Sequence, residues 1–223
     1  MRITLVVGDL TRQDVDAIVN AANSTLTGGG GVDGAIHAAA GPGLLEECRR
    51  LRRTSHRDGL AVGQAVATGG YLLLARWVIH TVGPNLHRGQ SDPALLASCF
   101  TESLRIGSEL GARSIAFPAI SAGAYGWDVT RVAKVAVAAV RSFWPPSVPP
   151  GPAAVPVPPA TPSGSLFEPA PRDHPEPAPG SLFEPATGSI PILSAPFTGP
   201  ISIEEVRFVV ADKRAHAAFA AVL

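Results

Sequence analysis

Asn20, Asn23 and Asp33 stand around four consecutive glycines, Gly28 to Gly31, in a stretch that reads VDAIVNAANSTLTGGGGVDGAIHAAAGP from Val15 to Pro42. Asparagine offers both a donor and an acceptor, and an ionised aspartate offers acceptors or a weak base. Such a set suits a ligand rich in hydroxyls, with a water to be held near it. The glycines add a second chemistry. Consecutive glycines cost the chain so much conformational entropy on folding that they are kept where backbone must approach something closely. Here they precede Asp33 and the helix-forming run Gly34 to Ala40, so their amides and the helix start form a backbone site for an anion such as phosphate. A second small-residue loop, Ser121 to Gly126 (SAGAYG), follows another apolar run. Two such loops facing each other would grip a diphosphate from both sides.

The elements that must hold these residues alternate along the chain. Ile3 to Val7, Ala17 to Val19, Ala65 to Thr68, Trp77 to Val82 and Ser114 to Phe117 read as strands. Leu44 to Leu51 reads as a helix after a Gly-Pro-Gly start, Pro93 to Leu110 as one ending at Gly111, and Asp128 caps one reaching Trp144. Alternation of this kind predicts a parallel or mixed sheet between helices. The composition then breaks. Of 22 prolines, 18 fall between Pro145 and Pro200, a stretch that can neither continue a helix nor supply ladder donors. It contains GSLFEPA twice, at Gly164 to Ala170 and Gly180 to Ala186. A strand (Glu205 to Ala211) and a helix (Asp212 to Leu223) follow, so residues 1–223 read as a single domain interrupted at 145–200 by a long proline-rich loop. Closing a loop ten times longer than usual adds only about 2 kcal/mol, at about 0.6 per doubling.

Composition narrows the function. Eighteen basic and 18 acidic residues leave no net charge on 223 residues, which argues against nucleic acid as a partner because phosphate-backbone binding needs a basic footprint. The apolar run Val132 to Val140 is too short to span a bilayer, so no membrane association is expected. Only Cys48 and Cys99 occur, and the chain opens on a strand-like ITLVV, which points to a reducing cytoplasm. No spaced set of His, Cys and Asp implies a metal or other cofactor. GGGGVDG is not the G-x-G-x-x-G of dinucleotide dehydrogenases, no G-K-[ST] of a P-loop occurs, and Ser121 lacks a G-x-S-x-G elbow.

Four motifs in order, GDLT at Gly8 to Thr11, IVNAAN at Ile18 to Asn23, GGGGVDGAIH at Gly28 to His37 and PAISAGAYGW at Pro118 to Trp127, resemble those of macrodomains. In detail the chain is similar to the branch of MacroD-type and O-acetyl-ADP-ribose deacetylase-like hydrolases. The resemblance covers about residues 2–144 and resumes at 204–223. It implies a three-layer α/β/α fold with a mixed central sheet and ADP-ribose in a cleft over that sheet. It also implies hydrolysis of ADP-ribose esters, either mono-ADP-ribosyl Asp or Glu on proteins or O-acetyl-ADP-ribose; the alternative is a reader that binds ADP-ribose without turnover.

Individual roles follow from that resemblance. Asp9, with Leu10 beside it, falls where the family recognises adenine N6; read alone, Asp9 suits an Asx turn or cap before Thr11. Asn23 matches the distal-ribose contact, whereas Asn20 is expected to tie down the loop while lining the site. Asp33 matches the aspartate that orients or activates the attacking water, although in isolation it equally suits an N-cap for a helix starting at Gly34. At a helix N-terminus its carboxylate would stay ionised and position water rather than take its proton, unless burial raised its pKa. Gly30, Gly31 and Val32 on one loop and Ser121, Ala122, Gly123 and Ala124 on the other match the diphosphate grip. Tyr125 is expected over the distal ribose. Trp127, His37 and His80 read as core or supporting residues. One departure stands out: Ala211 occupies the position where family members carry an adenine-stacking aromatic, a contact worth roughly 1–3 kcal/mol by analogy with base stacking; the resemblance then implies either weaker affinity or a substitute group, for which Phe167 and Phe183 of the repeats are the candidates.

Overall fold

The computed structural model describes residues 1–143 and 203–223. Strands β1 (Arg2–Val7), β2 (Ala17–Ala22), β3 (Ala65–Gly69), β4 (Trp77–Val82), β5 (Ser114–Phe117) and β6 (Glu205–Val210) form one sheet in the order β1-β6-β5-β2-β4-β3. All neighbours pair in parallel except β3, which runs antiparallel to β4 at the edge. Helices α1 (Gly31–Ala40) and α2 (Pro42–Arg53) cover one face, and α3 (Pro93–Glu109), α4 (Val129–Phe143) and α5 (Lys213–Ala220) the other. The mixed three-layer architecture expected from the alternation is therefore present. The proline-rich segment 145–200, with both repeats, Phe167 and Phe183, lies outside the described residues, as does Trp144.

Capping residues set the helix limits. Asp92 accepts from the Ala94 amide ahead of Pro93, Asp128 accepts from the amides of Thr130 and Arg131, and Asp212 accepts from that of Ala215, each satisfying an orphan donor of a first turn. α2 starts two residues earlier than the sequence suggests, because Pro42 is already its first residue, a position where proline's missing N–H costs nothing. α1 differs more. It starts at Gly31 with Gly30 as N-cap and no side-chain cap bond, so Asp33 lies inside its first turn and is not the cap.

β2 is buried along nearly its whole length, as a central parallel strand must be. Ala17 and Val19 pack towards α3, α4 and α5, while Ile18 packs towards α1 and α2. The period of two therefore puts Asn20 on the α1/α2 face. At the base of the sheet Asp16 accepts from the Arg113 and Ser114 amides and the Ser114 hydroxyl, locking the starts of β2 and β5 together. The opposite face holds a ring cluster in which Phe208 lies 4.9 Å from Phe219, 6.1 Å from Phe117 and 6.3 Å from Phe100 between centroids. Among the described residues, no helix is long and apolar enough to cross a membrane.

Phe208 is fully buried on β6, so truncating it removes contacts of β6 with two helices and β5. Phe208→Ala is expected to cost about 3–5 kcal/mol, read as a lower urea midpoint at unchanged slope.

Candidate functional site

The chain leaves β2 towards α1 on one face and leaves the adjacent β5 towards α4 on the other. Neighbouring parallel strands whose connections part in this way open a crevice beyond their carboxyl ends. Both glycine loops sit there. Residues 23–30 leave the end of β2, residues 118–127 leave the end of β5, and Asp9 with Leu10 follows β1.

The first loop is shaped by Asn23. Its Nδ2 donates to the Gly28 carbonyl at 2.8 Å and its Oδ1 accepts from the Thr25 amide at 3.0 Å. Asn23 Nδ2 also reaches Asp33 Oδ2 at 3.5 Å. A Cβ placed on Gly29 would lie 3.1 Å from Asp33 Oδ2 and 3.3 Å from Asn23 Nδ2, so this glycine passes directly over the carboxylate and amide. Around Gly30 and Gly31 the reverse holds. A Cβ on either would meet nothing within 4 Å, and Gly31 has φ +62°, so this backbone and the uncapped start of α1 face open space. Anion binding needs such free donors at a helix start.

The second loop is held by its own backbone. Ser121 has φ +66° and accepts at its carbonyl from the Trp127 amide, while the Tyr125 carbonyl accepts from that of Leu86. The buried Ser121 hydroxyl has no partner among the described residues and packs on Gly83, where any Cβ would collide with it. Gly123 is open in the same sense as Gly30. Ala122 and Tyr125 are half-buried and Ala124 is exposed. Trp127 is buried in the core, with Arg131 stacked 4.7 Å from its ring.

Asp33 is 4% exposed. Its Oδ1 accepts from Asn20 Nδ2 at 2.7 Å and lies 3.5 Å from His37 Nε2 one turn along α1. Burial raises its carboxyl above the ordinary value of 3.8, opposed by the Asn20 hydrogen bond and the neighbouring His37. Desolvation thus outweighs the helix-start effect expected from the sequence. Asn20 does not tie down the loop. It is wholly buried beneath α1, with Nδ2 also 3.1 Å from His80 Nδ1. His80 Nε2 in turn meets Thr68 Oγ1 at 2.9 Å and lies 3.8 Å from Cys48 Sγ. Burial pushes the His80 imidazole down to about 3 and the Cys48 thiol up to about 12, so both are neutral at ordinary pH. The coupling of Asn20 to His80 and Thr68 escapes a reading of the sequence. Its only trace there is one polar residue in the otherwise apolar β2 and the adjacent His80 and Thr81 in β4, and the β2/β4 register that aligns Asn20 with His80 is a tertiary fact.

The residues expected at the adenine side divide. Asp9 is exposed and caps a 3-10 turn, Leu10–Arg12, through the Thr11 amide and hydroxyl, bonds that hold its carboxyl below the usual range. Leu10 is buried in the α1/α2 core, and Val32 packs partly against that same core. Ala211 is exposed at the end of β6. The other end of the sheet carries a polar groove of Arg2, Asp16, Arg113, Ser114, Glu204 and Glu205. Its charges pair among themselves, Arg113 with Glu204 and Arg2 with Glu205, and it lies at the strand starts, away from the glycine loops.

The family model for the Macro domain matches residues 19–136, and this chain belongs to that family. A macro domain-containing protein of Streptomyces griseus is 59% identical over 138 residues, 62% of this chain and 78% of that protein. One from Methanosarcina mazei is 52% identical over 143 residues, 64% of this chain and 73% of its own. Among solved structures, the Oceanobacillus iheyensis macrodomain with ADP superposes with a TM-score of 0.69 at 28% identity, covering 98% of this chain and 87% of that one. The Trypanosoma brucei macrodomain in complex with ADP-ribose does so at 0.65 and 28%, covering 97% and 67%.

Two outcomes follow from this geometry. A folded-state pKa above the unfolded one means that folding favours protonated Asp33; that stability is full below about 3.8 and is lost as pH rises through the folded value. Asp33→Asn, which keeps an acceptor for Asn20, should therefore melt above the wild type at pH 7, with the gap narrowing on acidification in a thermal scan. Gly34→Ala should reverse the usual gain of about 1 kcal/mol for alanine in a helix. Its Cβ would sit 2.5 Å from the Gly29 carbonyl oxygen, so calorimetry should record a lower melting temperature.

Proposed function

We propose that this chain binds ADP-ribose at the carboxyl ends of β2 and β5 and hydrolyses ADP-ribose esters, namely mono-ADP-ribosyl aspartate or glutamate on proteins and O-acetyl-ADP-ribose. The diphosphate lies between the open backbone of Gly30 and Gly31 and that of Gly123, with the amides of the α1 first turn as donors. The distal ribose then points towards Asn23 and Asp33, and Tyr125 shields it from bulk water. The observation that carries the reading is Asp33: a buried carboxylate aimed by Asn20, next to the Asn23 amide and directly below Gly29. Burial brings its pKa closer to neutrality, which fits a group that orients water and accepts its proton.

In the reaction, water adds to the ester carbonyl carbon while its proton passes to Asp33 or to a substrate phosphate oxygen. The bond from that carbon to the ribose oxygen breaks, the proton is returned to the ribose oxygen, and a free carboxylic acid leaves with ADP-ribose carrying an intact hydroxyl. A cytoplasmic setting belongs to the same reading and fits two buried, unbridged cysteines. A specific observation favours the second reading, a reader without turnover: Asn23 already spends both ends of its amide within its own loop.

Incubation with a mono-ADP-ribosylated glutamate peptide separates the two by the release of free ADP-ribose. Asp33→Ala is expected to lower that turnover at least ~100-fold, in the range typical of acid–base groups, while remaining folded. Arginine-linked ADP-ribose should resist, because an N-glycosidic bond offers no acyl carbon. Binding without release would establish the reader, and wild-type turnover in Asp33→Ala would remove Asp33 from the chemistry. By calorimetry, adenosine should bind far more weakly than ADP-ribose, since it lacks the diphosphate.

A further inference from the structure

Buried hydrogen bonds around Asp33 run in one direction. At one end the Thr68 hydroxyl lies 3.3 Å from the Gly69 carbonyl and 3.4 Å from that of Val78, groups that can only accept. A hydroxyl donating there has a lone pair left for the N–H on His80 Nε2 at 2.9 Å. That leaves Nδ1 of the neutral ring as an acceptor. The atom facing it at 3.1 Å is Asn20 Nδ2, whose other hydrogen goes to Asp33 Oδ1 at 2.7 Å. The opposite tautomer would place an N–H against the amide nitrogen. Asn20 would then have to turn its carbonyl to His80, which brings Oδ1 against the carboxylate.

We propose that His80, although it touches neither the cleft nor the substrate, is a positioning residue for Asp33: with Thr68 setting its tautomer, it fixes the amide of Asn20 so that Asn20 can only donate to the carboxylate. The proposal rests on the reading of Asp33 as the water-orienting group. His80, Asn20 and Thr68 are all fully buried, so no solvent competes for these bonds, and since Asn20 Oδ1 has no partner among the described residues the amide is oriented by its Nδ2 contacts alone. The remaining groups that face Asp33 are His37 from α1, the Asn23 amide from the loop and the neutral Cys48 thiol from α2. His80 itself is uncharged, so replacing it changes a hydrogen bond and not the local charge.

Side-chain length supplies the test. In His80→Asn the carbonyl oxygen stands where Nδ1 stood and still accepts from Asn20. His80→Gln reaches only the ε position, and His80→Phe keeps volume without an acceptor. All three should lower the melting temperature, which controls for a merely structural role. For ester hydrolysis, kcat should fall about tenfold or more in the Phe and Gln variants, equivalent to about 1.4 kcal/mol, with the Kd for ADP-ribose within about twofold of wild type. The Asn variant should recover most of kcat. Thr68→Val, nearly isosteric, should lower kcat severalfold at unchanged KM.

A second measurement needs no turnover. The carboxyl carbon of Asp33, followed by NMR against pH, should titrate at higher pH in His80→Phe and His80→Gln than in wild type or His80→Asn, because the Asn20 donor that favours the ionised form is lost. Wild-type kcat with an unmoved titration in His80→Phe overturns the proposal. So does a loss of kcat that tracks melting temperature equally across all three variants. If Asp33→Ala keeps wild-type turnover while the titration moves as expected, the reaction assignment fails and the positioning of Asp33 stands.

Discussion

Burying one carboxylate is the constraint around which the carboxyl end of this sheet is built. An ionisable group removed from water needs hydrogen-bond donors of its own, and Asp33 obtains its closest one from β2, not from solvent or from its own helix. That requirement fixes much else. β2 must carry an asparagine where a central strand would otherwise be apolar, and β4 must carry a partner beside it in register. The antiparallel edge strand supplies Thr68 to finish the chain on backbone carbonyls. α1 must begin at Gly31 for its third residue to descend to Asn20. Ile18, Ile36, Leu44 and Val78 belong to the apolar core on this same face of the sheet, and the low dielectric of such an interior strengthens buried hydrogen bonds.

Glycine is required where backbone must pass close to this carboxylate. Gly29 crosses the Asp33 and Asn23 side chains so closely that an added Cβ would come within 3.1 Å of the carboxylate, and Gly34 lies against the Gly29 carbonyl. Gly30 and Gly31 serve the opposite purpose, since nothing lies over them. One run of four glycines thus combines close packing on its inner side with open donors on its outer side. A chain with side chains there would lose either the approach to the carboxylate or the free backbone of the cradle.

The division of labour between the ends of the sheet is equally physical. At the strand starts Asp16, Arg113 and Glu204 are spent on one another and on backbone amides, joining β2, β5 and β6. At the strand ends polar groups are left with capacity: among the described residues the Ser121 hydroxyl and His37 Nδ1 have no hydrogen-bond partner, and α1 starts without a side-chain cap. Unspent hydrogen-bonding capacity beside a strand-end crevice is what distinguishes a site from a surface in an α/β sheet.

The sequence by itself determined the layers and the two glycine loops that gather at the strand ends. The alternation of apolar runs with capped helices pointed to a parallel or mixed sheet between helices, and four consecutive glycines marked a place where backbone must come close to something. Motif order along the chain was enough for the family. It did not determine what Asp33 and Asn20 do locally. Taken in isolation, Asp33 suits a cap as well as a water-orienting role, because an acid before a helix often caps it, and Asn20 reads as a loop anchor because asparagine favours turns. The cap and loop-anchor readings fail for the same reason. They count neighbours along the chain, whereas Asn20 meets His80 through a strand pairing sixty residues away and Asp33 only after α1 folds back over β2. The pKa of Asp33 belongs to the same class, because a helix start is visible in a sequence and the desolvation that outweighs it exists only once the layers close.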